Sequence, residues 1–275
     1  MFGKMVDDMP SVTLRSGGAS LRDAAPAHGR VENDAAMIRA VAQLTRDLNA
    51  PSPAIYWSDL LGSAAIGYGA LFLAIEASGM GTALAFAVIA VIALYRAASF
   101  IHELTHIRQA ALPGFRSVWN ALVGIPLFVP SFMYEGVHNL HHQRTRYGTV
   151  EDPEYLPLAL MKPWTLPVFV LVAALGPIGL MLRYAVLAPL SALVPPLRTM
   201  VIERYSSLSI NPGYRRRAPE GDARRDWLVL EAATSVWAIA LLAAVGTGLV
   251  PLRGFHRGSR CTLSRWARVP RGQAR

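Results

Sequence analysis

Five apolar runs divide the chain, and their lengths suit helices that cross a membrane. The runs cover residues 54–78, 82–99, 166–182, 184–197 and 227–252. A helix needs about 20 apolar residues to cross the hydrocarbon core of a bilayer, and the few charged residues in these runs lie near their ends. The pattern predicts an all-α integral membrane bundle, with residues 54–252 as its membrane domain.

Residues 1–53 precede the first run and predict a separate N-terminal segment. The first 30 residues show no apolar periodicity. From Asn33 onward, apolar residues recur at helical spacing, namely Met37, Ile38, Val41, Leu44 and Leu48. We interpret this stretch as a helix lying on the membrane surface, with an ordinary surface helix as the alternative.

Composition excludes several classes of protein. Hydrophobic residues make up 53% of the chain and charged residues only 16%, against about 25% in soluble domains. The mean hydropathy of +0.32 excludes a disordered chain, which requires low hydrophobicity and high charge. The single cysteine, Cys261, excludes an internal disulfide framework and a cysteine-based metal site.

The net charge of +9 comes mainly from one end of the chain. Residues 251–275 hold seven arginines and no acidic residue, and the remainder holds 20 basic and 18 acidic residues. No basic stripe with interleaved aromatic residues is present, so nucleic acid is not an expected partner.

The distribution of Lys and Arg predicts the side of the membrane on which each polar segment lies. Residues 1–53, 100–164 and 198–226 carry six, five and seven basic residues, whereas the turn at 77–82 carries none. We expect the three basic segments in the cytosol, as in a bacterial inner-membrane protein. Because two of them flank residues 166–197, that range is predicted to form a tight hairpin or a re-entrant pair.

Five of the seven histidines fall in two short clusters. The first holds His102 and His106, and the second holds His138, His141 and His142. Spacings of three and four residues put the rings of each cluster on one helix face. The second apolar run leaves the membrane near the first cluster, and the charge pattern puts the second cluster on the same side. We therefore predict that the five imidazoles bind metal at the inner membrane border.

The first cluster also fits the HExxH pattern of zinc metalloproteases, in which Glu103 would be the general base. Such a site needs a further ligand, and Glu231 is the only acid inside a later apolar run. A catalytic zinc uses three protein ligands, so five histidines favour two metal ions and oxygen chemistry. The membrane zinc protease remains an alternative.

Residues 102–153 resemble the membrane fatty acid desaturase family. The first cluster matches that family's first histidine box, HxxxH or HxxxxH, and the second cluster matches its second box, HxxHH. Tyr147-Gly148 and residues 151–154 also resemble bacterial members, and the resemblance extends over roughly residues 54–250. The boxes are shared with alkane hydroxylases, carotenoid ketolases and related hydroxylases, so a membrane hydroxylase or ketolase is a second interpretation.

The resemblance implies a non-haem di-iron centre that uses O2 to introduce a double bond into an acyl chain. It also implies an electron donor of ferredoxin or cytochrome type and a lipid acyl substrate in an apolar tunnel beneath the histidines. Three residues are candidates to orient the imidazoles, namely Glu103, Asn139 and Asp152. Four arginines are candidates to steer an acidic donor, or simply mark the cytosolic side, namely Arg108, Arg116, Arg144 and Arg146.

The third histidine box of the family has no counterpart after His142, where only His256 follows. Residues 253–275 shift abruptly to an arginine-rich composition. We interpret this segment as a frameshifted or truncated reading frame, with a natural tail that binds anionic lipid as the alternative. The sequence thus predicts a C-terminally incomplete bundle with a cytosolic cap of histidine boxes, and an inactive membrane fragment is the last alternative.

Overall fold

The computed structural model describes residues 30–45 and 50–249, and within those ranges it contains helices and turns but no strand. The chain divides into two compact units, Met1–Tyr56 and Trp57–Arg275. Four segments of the described chain are long and apolar enough to cross a membrane. The predicted all-α membrane bundle is therefore confirmed.

Ten α-helices follow one another along the described chain. They are α1 Arg30–Leu44, α2 Pro53–Glu76, α3 Met80–His106, α4 Phe115–Trp119, α5 His138–His141, α6 Thr165–Ala174, α7 Gly176–Leu182, α8 Ala188–Leu193, α9 Pro195–Tyr205 and α10 Gly221–Gly246. Turns of π-helix cover Asn120–Gly124 and Arg183–Leu187, and short 3-10 turns cover Gln109–Ala111, Ser131–Met133 and Leu158–Leu160. The spanning segments are α2, α3, Gly176–Leu193 and α10.

Helix α1 belongs to the N-terminal unit and begins at Arg30, three residues before the predicted start. It ends at Leu44, so the predicted position Leu48 lies outside the described residues. Met37, Ile38 and Val41 are each more than half exposed. This uncovered apolar face is compatible with the membrane surface, which stays a prediction.

Helices α2 and α3 form an antiparallel pair and confirm the first two predicted spans. Gly67 lies so close to Leu94 that a β-carbon at position 67 would come within 2.7 Å of the Leu94 side chain. Asp59, near the start of α2, forms an ion pair with Arg96 near the end of α3. Helix α3 runs longer than predicted, because the first histidine cluster forms its last turn.

Residues 115–133 enter the bundle and contact two of its long helices. The hydroxyl of Tyr68 donates to the carbonyl of Leu122 at 2.6 Å, and the indole of Trp237 donates to the carbonyl of Pro126 at 3.3 Å. Irregular backbone at membrane depth is tolerated only where protein or water satisfies its polar groups. Side chains of the spanning helices supply that satisfaction here.

Residues 165–205 form a bent rod followed by a returning helix. Helical hydrogen bonding runs through Leu175, which donates to Leu171 and accepts from Gly179. The chain reverses at Val194, whose backbone is extended, and α9 packs back against α8. The chain therefore returns to the end of the bundle that carries the histidines, as predicted. The predicted position of the hairpin was wrong, because the returning arm is α9.

A buried ionic cluster ties this rod to the last helix. The carboxylate of Glu231 on α10 accepts from Arg183 at 2.6 Å and from Arg198 at 2.5 Å. The side chains of Arg183 and Glu231 are only 3% and 6% exposed. A charge that loses its partner in such a place costs far more than a surface charge, so the three groups hold one another in position.

We expect Glu231→Gln to destabilise the protein by about 3 kcal/mol, because the amide leaves the buried Arg183 and the half-buried Arg198 without an anion. In detergent micelles this corresponds to a thermal midpoint lower by roughly 5–10 °C. The control is Glu220→Gln, because Glu220 is exposed and its side chain makes no cap hydrogen bond to α10. Equal midpoints for the two variants would contradict a stabilising role of the cluster.

Candidate metal centre

Helices α3 and α5 bring four histidine rings together. Ring nitrogens of His102, His106, His138 and His142 all lie within 4.8 Å of one another. The first two rings come from the last turn of α3, and the other two come from α5 and the residue that follows it. Two clusters that are 32 residues apart in sequence thus meet at one end of the bundle, as predicted.

The direction of the His138 ring is fixed by a carboxylate. Its Nδ1 lies 2.7 Å from the carboxylate of Glu154 and 2.9 Å from the hydroxyl of Tyr134. Because a carboxylate only accepts, Nδ1–H donates to Glu154 and Nε2 keeps its lone pair. Burial, with the charge and hydrogen bond of Glu154, raises the pKa of Tyr134, so the phenol keeps its proton.

Asp152 orients the ring of His141 in the way that Glu154 orients His138. Its carboxylate is fully buried and lies 3.0 Å from His141 Nδ1. Burial alone would raise the pKa of Asp152, but hydrogen bonds from the backbone N–H groups of Gly148 and Glu154, and from His141, lower it below its usual value. The carboxylate therefore stays charged and holds His141 Nδ1–H as a donor.

The spacing of the Nε2 atoms fits a metal ion. His138 Nε2 lies 3.1 Å from His106 Nε2 and 2.8 Å from His142 Nε2. One lone pair cannot satisfy two neighbouring rings at once. Two nitrogens bound to one metal at about 2.1 Å lie roughly 3 Å apart, so a cation among the rings would satisfy all three nitrogens.

The segment after α9 supports the loop that carries the two carboxylates. The backbone N–H of Ile210 and the hydroxyl of Ser209 both donate to the carbonyl of Pro153. The amide of Asn211 donates to the carbonyl of Asp152 at 2.8 Å. The helix hairpin formed by the rod and α9 thus returns the chain to where it can hold the second histidine cluster.

The five histidines predicted to bind metal do not all converge. The rings of His102, His106, His138 and His142 converge, whereas His141 lies beside them, its ring centre 5.6 Å from that of His142. Metal binding by the five histidines stays a prediction.

Among the residues expected to orient the rings, Asp152 contacts His141, and Glu103 approaches His102 at 3.4 Å. Asn139 is exposed and makes no hydrogen bond to a ring in the described part of the chain, so it does not orient one. Sequence reasoning missed Glu154 and Tyr134. Their signal was spacing, since Glu154 stands two residues after Asp152 and Tyr134 stands one helical turn before His138.

Two of the four arginines proposed to steer a donor contact acidic side chains. Arg116 donates to both carboxylate oxygens of Glu135 at 2.7 Å and to Asp226 at 3.0 Å. These contacts join α4 to the start of α10, so Arg116 has a structural role. Arg146 forms an exposed pair with Glu151 at 3.5 Å.

The part of the chain that holds the two histidine clusters is similar to known proteins. The sequence profile named Fatty acid desaturase matches residues 78–262, which include both histidine clusters. The chain belongs to the fatty acid desaturase family. The resemblance noted from the two histidine boxes is thereby confirmed.

One relative of this chain is named a ceramide hydroxylase and comes from Caulobacter vibrioides (strain NA1000 / CB15N). The two chains are 46% identical over 224 residues, which cover 82% of this chain and 64% of the relative. The chain thus spans less than two thirds of the length of that relative. No solved structure matches this chain significantly.

Membership of the fatty acid desaturase family and the contacts of Glu231 both oppose the zinc protease interpretation. That interpretation needed Glu231 as a further ligand, but both of its carboxylate oxygens accept from buried or half-buried arginines. Glu231 is therefore not available as the further ligand of a zinc protease site.

We expect Glu154→Gln to weaken metal binding by about 10–100-fold, because the amide no longer fixes the His138 tautomer. Metal per chain, measured by mass spectrometry after titration with a competing chelator, reports the change. The control is Glu151→Gln, since Glu151 is 66% exposed at its side chain and only approaches Arg146. Equal metal retention in both variants would show that Glu154 does not orient a ligand.

Proposed function

We propose that this chain is an iron-dependent membrane oxidoreductase that hydroxylates a ceramide-like lipid with O2. The observation that carries the proposal is the four-ring cluster with Nε2 atoms 2.8 and 3.1 Å apart. The hydroxylase relative, 46% identical over the part of the chain that holds both clusters, supports this reaction over others of the family.

In this proposal the ring nitrogens of the four clustered histidines bind iron, and His141 is available as a fifth ligand. Bound iron would supply the activation of O2 and the removal of hydrogen from an unactivated C–H bond. The carboxylates of Glu154 and Asp152 keep the Nδ1 protons of two rings, so that the opposite nitrogens face the metal.

The position of the rings at the end of a spanning helix suits a lipid substrate. Helix α3 carries large exposed apolar side chains such as Val91 and Ile92 along its length and ends in the first histidine cluster. An acyl chain in the bilayer can therefore approach the cluster from the apolar side. We further propose that the N-terminus and the histidines lie in the cytosol of a bacterial inner membrane.

An electron donor of ferredoxin or cytochrome type is the proposed partner. His102 and His142 are exposed, so the cluster is open on its polar side. A small redox protein can reach that side without crossing the bilayer, and the reaction with O2 requires electrons that no described residue supplies.

Desaturation of an acyl chain is the second candidate. The family profile that matches residues 78–262 carries the name of that reaction. Hydroxylation inserts an oxygen into a C–H bond, whereas desaturation removes two hydrogen atoms from neighbouring carbons. The two reactions thus leave different products from one substrate.

We test the reaction by expressing the chain in a bacterial host supplied with iron and a ceramide, and by analysing the lipids by mass spectrometry. A product that has gained one oxygen atom is expected, and its formation requires O2. A product that has lost two hydrogen atoms instead would assign desaturation. Unchanged lipid, with iron bound to the protein, would contradict both candidates for this chain.

We expect His138→Ala to lose most bound iron, because its Nε2 is the atom shared by the two shortest contacts in the cluster. The matched control is Asn139→Ala, which changes an exposed residue of the same helix that contacts no ring. Stoichiometric zinc in place of iron, together with activity abolished by Glu103→Gln but not by His138→Ala, would instead revive the protease interpretation.

A further inference from the structure

A second polar site lies beside the histidine-bearing helix α5. A cavity of about 280 Å³ opens between α5, where Leu140 lines it, and the segment that precedes α10. Four arginines line the cavity, namely Arg146, Arg215, Arg216 and Arg217. No aspartate or glutamate of the described chain lines it, so the site concentrates positive charge.

Arg216 is the anchored member of this group. Its guanidinium donates to the carbonyls of Ser206 and Glu135 and lies 4.4 Å from the ring centre of Trp227. Carbonyl groups and an aromatic ring hold a guanidinium in place without cancelling its charge. Burial lowers the pKa of Arg216 to about 10, which still leaves it charged at neutral pH.

The other three arginines of the cavity also make few contacts or none with acidic side chains of the described chain. Among the described residues, Arg215 donates only to the carbonyls of Pro212 and Tyr214. Arg217 has no hydrogen bond or ion pair with any residue in the described ranges, although its charge acts on Tyr214. Arg146 has one exposed contact with an acid, at 3.5 Å.

Glu135 is a half-buried acid whose backbone carbonyl accepts from Arg216, and its carboxylate is already engaged. Glu135 gives both of its carboxylate oxygens to Arg116. The cavity therefore lacks an internal anion that would neutralise its guanidiniums. Such a concave group of guanidiniums matches the donors that bind the oxygen atoms of phosphate.

We propose that this cavity binds a phosphate group, either as the headgroup of an anionic lipid or as free phosphate. A tetrahedral phosphate group offers three or four oxygen atoms to several forked donors, whereas a carboxylate offers two. The cavity is concave and small, which favours a single headgroup over the broad surface of a protein. No histidine lines the cavity, so it is a separate site from the proposed iron centre.

The test compares two double variants of the full chain in uncharged detergent. Arg146→Gln with Arg217→Gln removes two charges from the cavity and leaves the anchored Arg216 in place. Arg224→Gln with Arg225→Gln removes the same charge from the exposed start of α10 and serves as the control. Calorimetry measures binding of two probes, inorganic phosphate and a short-chain phosphatidic acid, with uncharged diacylglycerol as the blank.

We expect the wild type and the control to bind phosphatidic acid equally, and the cavity variant to bind it at least about tenfold more weakly. Binding of phosphatidic acid alone identifies a lipid headgroup, and binding of inorganic phosphate with similar affinity identifies a free anion. Wild-type protein stripped of metal by a chelator should bind the probe unchanged, which separates this proposal from the proposed catalytic function.

Two results would overturn the proposal. Equal weakening in the cavity variant and the control would show that only overall charge matters. Absence of phosphate binding, together with saturable binding of an acidic ferredoxin that the cavity variant loses, would assign the arginines to a protein partner instead.

Discussion

Two hydrogen bonds from histidine rings to carboxylates determine what this site can bind. Glu154 and Asp152 accept the Nδ1 protons of His138 and His141, which leaves lone pairs on the opposite nitrogens. Without these acceptors each ring is free to exchange tautomers and turn, and the nitrogens near 3 Å from one another lose their common direction. The remaining structure can be understood as support for the short loop that carries the two carboxylates.

That support comes from a distant part of the sequence. The bent rod of residues 165–193 and the returning helix α9 bring residues 206–216 back to the histidine side. There Ser209 and Asn211 hold the carbonyls of Pro153 and Asp152. The buried ionic cluster around Glu231 sets the position of the rod against α10. A change deep in the bundle can therefore alter ring orientation without touching a ring.

Helical periodicity and run length predicted the spanning helices well, because lipid requires long apolar segments whatever their neighbours. The meeting of the two histidine clusters was also predictable, since helix length and Lys/Arg counts both placed them at one border. The hairpin at Val194 was not predictable. The sequence of α9 is polar enough to resemble a loop, and only the packing of α9 against α8 shows that it is the returning arm. Glu154 was missed because a carboxylate that orients a ring carries no periodic signal.

A charged residue within an apolar run can be interpreted only when the residue that pairs with it is known, and Glu231 is an example. Taken alone, an acid in a predicted span suggests a metal ligand or a proton carrier. Arg183 lies in no predicted run and Arg198 opens a basic segment, so nothing in the sequence pairs either of them with Glu231. In the fold, the carboxylate joins two guanidiniums from different helices, and its oxygen atoms are both engaged.

Helix α5 separates two sites of opposite preference. Its histidines offer neutral lone pairs to a cation, while Leu140 of the same short helix lines a cavity rich in guanidiniums. Excess positive charge beside a cation site opposes metal binding unless something screens it. Asp152 and Glu154 hold their carboxylates against two of the rings. The carboxylates that orient the imidazoles thus also favour a cation at the rings.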